Sequence, residues 1–147
     1  MTRLAANLSA AVLLAFSTVA AAAIPVYGYR VVHSYPHDSQ AFTEGLFYQD
    51  GYLYESTGME GSSSIRKVEL ATGKVVQKAD VPSPYFGEGI VAWRGKLIQL
   101  TWRNQIGTVY DLASFAPKST FVYDGEGWAL TRDEQHLYMS DGTPTIR

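Results

Sequence analysis

A module of short strands recurs three times along this chain, about every 40 residues. Each copy opens on a glutamate–glycine pair, continues through an apolar run and a tight turn, and ends in a second apolar and aromatic run. The copies span residues 42–57, 86–102 and 124–142. A repeat of about 40 residues built from short strands is typical of β-propeller blades. Because blades surround one axis, we expect the glutamates of the three copies, Glu44, Glu88 and Glu126, to converge.

Turn signals separate the strand-like segments over the whole chain after residue 23. Asp50-Gly51 and Arg94-Gly95 lie between apolar runs, which indicates tight hairpins because glycine supplies the positive φ that such turns need. Residues 27–34 alternate in the same way and predict a further strand. No run of a dozen residues has helical periodicity. The fold class is therefore all-β, and the repeat favours a β-propeller over a sandwich, which needs no such period.

The length of the chain sets the number of blades. Residues 24–147 hold about three blades at roughly 40–45 residues each, whereas propellers close with about four to eight. We therefore predict a partial β-propeller domain over 24–147. A ring of three blades would leave an open edge prone to aggregation.

Residues 1–23 differ from the rest and have the layout of a secretory signal peptide. Arg3 precedes an apolar run over 8–23, which closes on the small residues of 19–23. A short basic start, an apolar centre and an A-x-A end predict cleavage, and the run is short for a membrane anchor. We expect an exported protein, periplasmic or secreted, without stable membrane association.

Charge and cysteine content exclude two classes of function. The formal net charge is −2, so no basic surface for nucleic acid is expected. The chain has no cysteine, which rules out disulfides, thiol catalysis and cysteine-bound metal.

The acids of the repeat are the candidate chemical groups. A carboxylate near a narrow, partly dry channel should have a raised pKa, which suits a general acid or base near neutral pH. The alternative is a polar ring that only links neighbouring strand ends. Aromatic residues beside the acids predict a pocket for a small ligand with an amine or amide group. These aromatics are Phe42, Phe86, Trp102 and Trp128, and Trp102 at a strand end is the strongest candidate.

The chain resembles the plant-type and bacterial glutaminyl cyclases from about His33 to Thr143. The resemblance rests on seven motifs in one order. They are YPHD (35–38), AFTEGL (41–46), YESTG (54–58), YFGEG (85–89), LTW (100–102), GEGW (125–128) and MSDG (139–142). So many motifs in sequence are far more specific than any one of them.

This resemblance implies a five-bladed propeller that converts the N-terminal glutamine of a peptide to pyroglutamate and releases ammonia. It implies no cofactor, a peptide or protein substrate, and a monomer at full length. By position, Glu88 matches the catalytic glutamate, and plant members tend to have glutamine in place of Glu44. The matched pocket positions are Phe42, Glu44, Phe86, Trp102 and Trp128. The family's asparagine, further tryptophan and lysine belong to later blades.

Two other functions stay open at this point. In a metal-dependent lactonase-type propeller the channel acids would bind calcium, yet calcium takes about six to eight oxygen ligands, more than three glutamates supply. Calcium could instead be structural on the axis, and the three histidines have no metal-ligand spacing. The third alternative is a binding scaffold without chemistry, which incomplete blades favour.

Overall fold

A computed structural model describes residues 24–147, which divide between two units, one containing residues 24–32 and the other residues 33–147. The predicted signal peptide at 1–23 lies outside the described residues. In the first unit, residues 24–32 form neither helix nor strand. The strand predicted over 27–34 is therefore wrong, because alternation makes a strand only where a neighbour exchanges hydrogen bonds with it. Between residues 24 and 147 there is no helix long and apolar enough to cross a membrane.

Two four-stranded antiparallel sheets and a hairpin make up the second unit. The first blade is β1 (Thr43–Gln49), β2 (Tyr52–Thr57), β3 (Ser64–Glu69) and β4 (Val75–Asp80), in that order. The second blade is β5 (Gly87–Trp93), β6 (Lys96–Thr101), β7 (Ile106–Asp111) and β8 (Pro117–Val122). The hairpin of the third module is β9 (Leu130–Arg132) and β10 (Leu137–Met139). The chain is all-β, with sheets like those of propeller blades, as predicted.

The first hairpin of each blade closes with the same two-residue turn. Asp50 and Gly51 have φ of 52° and 87°, and Arg94 and Gly95 have φ of 52° and 74°. Positive φ at both central residues defines the type I′ turn, whose twist matches that of the flanking strands. The predicted turn positions are therefore confirmed, and they fix the register of β1 with β2 and of β5 with β6.

An apolar core joins the first two blades. Its buried members are Tyr54, Ile65, Ile90, Leu97, Tyr110 and Phe115. Phe47 stacks on Tyr54 with ring centroids 4.8 Å apart. Burying each such side chain contributes about 1.5–3 kcal/mol, so this cluster keeps the inner strands of the two blades at a fixed distance.

The third module is shifted by two residues relative to the register that its Glu-Gly pair suggests. A Cβ built on Gly87 would lie 2.8 Å from the Thr57 carbonyl oxygen, and one built on Gly127 would lie 2.7 Å from that of Thr101. Thr57 and Thr101 end the second strands of their blades, β2 and β6. Gly127 is therefore the counterpart of Gly87.

A second contact gives the same register. A Cβ on Gly45 would meet the Ile90 nitrogen at 2.8 Å, and a Cβ on Gly89 would meet the Leu130 nitrogen at 2.6 Å. Because Ile90 and Leu130 are equivalent, Trp128 lies at the position of Glu88. The expectation that the three glutamates are equivalent is correct for Glu44 and Glu88 and wrong for Glu126, which takes the position of Phe86.

Candidate active site

A cavity of about 330 Å³ opens at the starting ends of the first strands of the two blades. Its lining residues are Phe42, Glu44, Met59, Phe86, Glu88 and Trp102. Phe42 and Phe86 immediately precede β1 and β5, whereas Trp102 follows the end of β6. A cavity of this size, mostly aromatic with two acids, is of the class that binds small ligands.

Both acids of the cavity lie at β-bulges. The pairing of β1 with β2 shifts between Thr43 and Gly45, and the pairing of β5 with β6 shifts between Gly87 and Ile90. An extra residue on one strand leaves the ladder locally unpaired and re-aims a side chain. The bulges explain how Glu44 and Glu88, although part of regular strands, lie at the wall of a cavity.

Glu88 is the most strongly perturbed acid of the site. Its side chain is buried, with 9% of the residue exposed. Burial and, to a smaller extent, the charges of Glu44 and Glu126 together raise the pKa of Glu88 from its ordinary value of 4.5 to about 7. Burial also raises the pKa of Glu44. A carboxyl group that titrates near pH 7 can both accept and donate a proton under physiological conditions.

Three aromatic rings form a continuous wall beside these acids. The Phe86 ring lies 5.6 Å from that of Trp102 and 6.2 Å from that of Phe42, in an edge-to-face arrangement with the latter. Gly58 makes room for this wall, because a Cβ there would overlap the Phe86 ring and lie 3.0 Å from Glu44 Cγ. The wall gives the cavity a rigid, apolar face.

A buried hydrogen-bond network fixes the backbone next to Glu88. The Gly87 N–H donates to Ser63 Oγ at 3.0 Å, and Ser63 Oγ donates to the Met59 carbonyl at 2.8 Å. Gln99 lies under Gly87 and donates to Ser56 Oγ at 2.7 Å. Such satisfied buried networks make a site rigid, so the position of Glu88 is set by both blades.

Glu126 contacts two of the predicted pocket aromatics. The indole N–H groups of Trp102 and Trp128 donate to Glu126 Oε2 at 2.7 Å and 2.9 Å. The hydrogen bond from Trp128, then that from Trp102, and more weakly that from Arg103 lower the pKa of Glu126. Glu126 is therefore an anion held by indoles, whereas Glu88 is a buried acid that is easily protonated.

The structure brings together five of the six residues that the sequence suggested. Phe42, Glu44, Phe86, Glu88 and Trp102 line the one cavity. Trp128 does not line it; in the described part of the chain its side chain is 45% exposed and is joined to the cavity wall through Glu126.

Met59 also lines the cavity, and sequence reasoning missed it. It follows Gly58, which is the counterpart of Trp102 in the first blade, since Gly58 N–H donates to Phe42 O just as Trp102 N–H donates to Phe86 O. Its φ of 98° is unusual for a residue with a side chain. A search one residue beyond the position equivalent to Trp102 could have found it.

The acids of the site are not assembled as a metal centre. In residues 24–147 no three histidine, aspartate or glutamate side chains are placed to hold one ion. Within this range, the three glutamates of the repeat therefore do not form a group that could hold one calcium ion.

Comparisons with known proteins identify the family of the chain. The family model described as glutamine cyclotransferase matches residues 4–147. A glutaminyl-peptide cyclotransferase of Arabidopsis thaliana is 42% identical over 119 residues, which are 80% of this chain and 37% of the relative. The crystal structure of Myxococcus xanthus glutaminyl cyclase matches with a TM-score of 0.72 and 30% identity, over 80% of this chain and 49% of that one.

The chain thus spans less than half the length of either protein. The family match covers nearly the whole sequence, and the solved structure matches the fold over 80% of this chain. The chain belongs to the glutamine cyclotransferase family.

Proposed function

We propose that the protein is a glutaminyl-peptide cyclotransferase, which converts an N-terminal glutamine to pyroglutamate and releases ammonia. The observation that carries this proposal is Glu88, a buried carboxyl group with a pKa of about 7 in an aromatic cavity of about 330 Å³. Family membership supports the same reaction, because both similar proteins carry the glutaminyl cyclase name.

The reaction needs positioning and one proton shuttle. The α-amine nitrogen attacks the γ-carboxamide carbon of the same residue, a C–N bond forms, and the bond to the amide nitrogen breaks. The attacking nitrogen loses a proton to the Glu88 carboxylate, and Glu88 returns this proton to the departing nitrogen, which leaves as ammonia. Proton transfer by a positioned side chain contributes about 10²–10⁴-fold to the rate.

The aromatic wall provides the positioning. Phe42, Phe86 and Trp102 enclose the glutamine side chain so that it folds toward its own amine, and they limit access of water to the γ-carbon. Holding two reacting groups of one molecule in the ring-closing pose replaces much of the entropic barrier. The aromatic faces also suit the positively charged form of the amine as it enters.

A direct assay separates this reaction from the alternatives. The full-length product of the gene is incubated with a peptide that begins with glutamine. The readouts are the amount of ammonia released and the mass of the peptide. We expect stoichiometric ammonia and pyroglutamate, and a loss of about 10²-fold or more in kcat for Glu88→Gln. Glu134→Gln is the matched control, since Glu134 is exposed in the turn between β9 and β10.

Other outcomes point to other functions. Calcium-dependent turnover of a lactone without ammonia release would favour a lactonase-type enzyme. Peptide binding without turnover would favour a scaffold. Full activity of Glu88→Gln would reject the assignment of Glu88 while leaving the reaction intact.

We also propose that the protein acts outside the cytoplasm as a monomer. Export rests on the signal-like composition of residues 1–23, whereas the monomeric state is what the family resemblance implies. The intact mass of the protein recovered from the periplasm or medium tests it, and a mass that includes residues 1–23 would contradict it.

A further inference from the structure

We propose that Glu126 is a positioning residue of this site, whose carboxylate holds the indoles of Trp102 and Trp128 in one fixed arrangement beside Glu88. The proposal rests on the proposed function, because it assigns Glu126 a role in presenting the cavity wall to the substrate.

The first support is the geometry of the shared acceptor. One carboxylate oxygen of Glu126 accepts both indole N–H groups, at 2.7 Å from Trp102 and 2.9 Å from Trp128. The two tryptophans belong to different modules, 24 and 2 residues away from Glu126 along the chain. A single anion between two indoles fixes the angle of each ring relative to the other, which ring stacking alone does not.

The second support is the anchoring of Glu126 itself. Phe86 and Glu126 occupy equivalent positions before the first strand of their modules. The neighbouring Gly127 N–H donates to the Trp102 carbonyl at 2.8 Å, and the Trp128 N–H donates to the Ser140 carbonyl at 3.0 Å. The backbone that follows the acid is therefore held in place at two successive residues, which restricts where its carboxylate can lie.

The third support is Arg103, which covers the other face of this arrangement. Its guanidinium carbon lies 3.6 Å from the centre of the Trp102 ring, and its Nε donates to Glu126 Oε1 at 3.3 Å. Trp102 is thus held at its N–H edge by Glu126, on one face by Arg103, and beside Phe86 in the cavity. The attraction between a cation and the face of an indole helps to hold the ring in one orientation.

Trp93 shows that this pairing is specific to the site. Its indole N–H is buried, and the described residues offer it no hydrogen-bond partner. The other two tryptophans of the chain both donate to Glu126, so Trp93 provides an internal reference for an indole without an acceptor.

The test compares Glu126→Ala with Glu126→Gln and with the exposed control Glu134→Gln. The glutamine amide oxygen can still accept from the indoles, whereas alanine cannot. We expect the indole N–H resonances of Trp102 and Trp128 in ¹⁵N-labelled protein to move upfield in Glu126→Ala while that of Trp93 stays, which also reports that the fold is intact. Glu126→Gln should retain most of the downfield shift.

Catalysis should follow the same order. We expect kcat/KM for a glutamine-initiated peptide to fall about 10–100-fold in Glu126→Ala and only a few-fold in Glu126→Gln. Unchanged indole resonances in Glu126→Ala, unchanged kcat/KM in that variant, or equal losses in the alanine and glutamine variants would each overturn the proposal.

The affinity for the same peptide, measured by fluorescence titration, separates this proposal from the proposed function. If the unmodified protein binds the peptide but releases no ammonia, the proposed function fails. Weaker binding by Glu126→Ala would then still support the positioning role, and unchanged binding would overturn it. If the unmodified protein neither binds nor converts the peptide, both proposals fail.

Discussion

Glu44 and Glu88 lie at equivalent β-bulges of adjacent blades and face one cavity, and the charge of Glu44 raises the pKa of Glu88. Burial is the larger cause of that rise. The two acids of the site therefore differ in their degree of burial. The more buried one, Glu88, has a pKa close to the pH at which it can both accept and donate a proton.

The acid limb of the pH profile should move when Glu44 loses its charge. Glu88 must be ionised to take the proton of the substrate amine, so kcat/KM should fall as the pH decreases through about 7. Glu44→Gln removes a like charge, makes Glu88 easier to ionise, and should shift the limb to lower pH by about 0.5–1 unit. The measurement is kcat/KM from pH 5 to 9 with one peptide, so that the substrate amine contributes equally. Glu134→Gln is again the control. An acid limb at the same pH in Glu44→Gln and in Glu134→Gln would contradict this prediction.

Glu88→Gln should make the folded state more stable at high pH. The folded-state pKa of Glu88, about 7, lies above the ordinary 4.5 of an unfolded chain, so the folded state binds the proton more tightly. The free energy of unfolding of the unmodified protein should therefore decrease between about pH 4.5 and 7 and stay lower above pH 7.

Glutamine at position 88 has no charge to bury. The free energy of unfolding of Glu88→Gln should therefore equal that of the unmodified protein at pH 4. At pH 8 it should be about 1–2 kcal/mol higher, after allowance for screening at the open cavity. Urea unfolding at pH 4, 6 and 8 measures it. A difference that does not vary with pH would show that the folded state does not disfavour the ionised form of Glu88.

Gly87→Ala should cost stability and activity together. A Cβ at this position would lie 2.6 Å from Gln99 Nε2 and 2.8 Å from the Thr57 carbonyl oxygen. Gln99 is itself fully buried and hydrogen-bonded, so it has no space to move into. We expect a loss of about 1–3 kcal/mol in the free energy of unfolding, and a lower kcat because the neighbouring Glu88 is displaced.

Gly28→Ala is the matched control for this substitution. Nothing lies within 4 Å of a Cβ at Gly28, so its free energy of unfolding should not change. If Gly87→Ala were as stable as this control, the close approach of the two blades at Gly87 would be looser than the contacts indicate.

Much of the fold follows from local sequence, because strand alternation and turn chemistry act over a few residues. Asp50-Gly51 and Arg94-Gly95 predicted the positions of the hairpin turns, and these turns set the register that places Glu44 and Glu88 at one end of their blades. The aromatic residues beside these acids likewise predicted the cavity wall. These features need no knowledge of distant contacts.

The part that the sequence did not predict depends on contacts between blades. The Glu-Gly pair at Glu126 looks like those at Glu44 and Glu88, but the contact of Gly127 with the carbonyl oxygen of Thr101 makes Gly127 the counterpart of Gly87 and not of Gly89. Strand positions are set by backbone neighbours and not by matching dipeptides. The hydrogen bond from the Trp102 indole to Glu126 joins two modules, so it has no local signal in the sequence.

Met59→Gly should be tolerated or stabilising, unlike the same change elsewhere. Met59 has a φ of 98°, a conformation that costs a residue with a side chain about 1–3 kcal/mol and glycine little. Glycine at position 59 also raises the conformational entropy of the unfolded chain, which destabilises the folded state. Relief of the strain should offset this loss, so the free energy of unfolding should stay unchanged or rise by about 1 kcal/mol. Met139→Gly in β10 is the control, and it should destabilise the protein because Met139 is half-buried in an ordinary strand. Urea unfolding of both variants decides it: equal losses would mean that Met59 is held by its side-chain contacts and not by a strained backbone at the cavity rim.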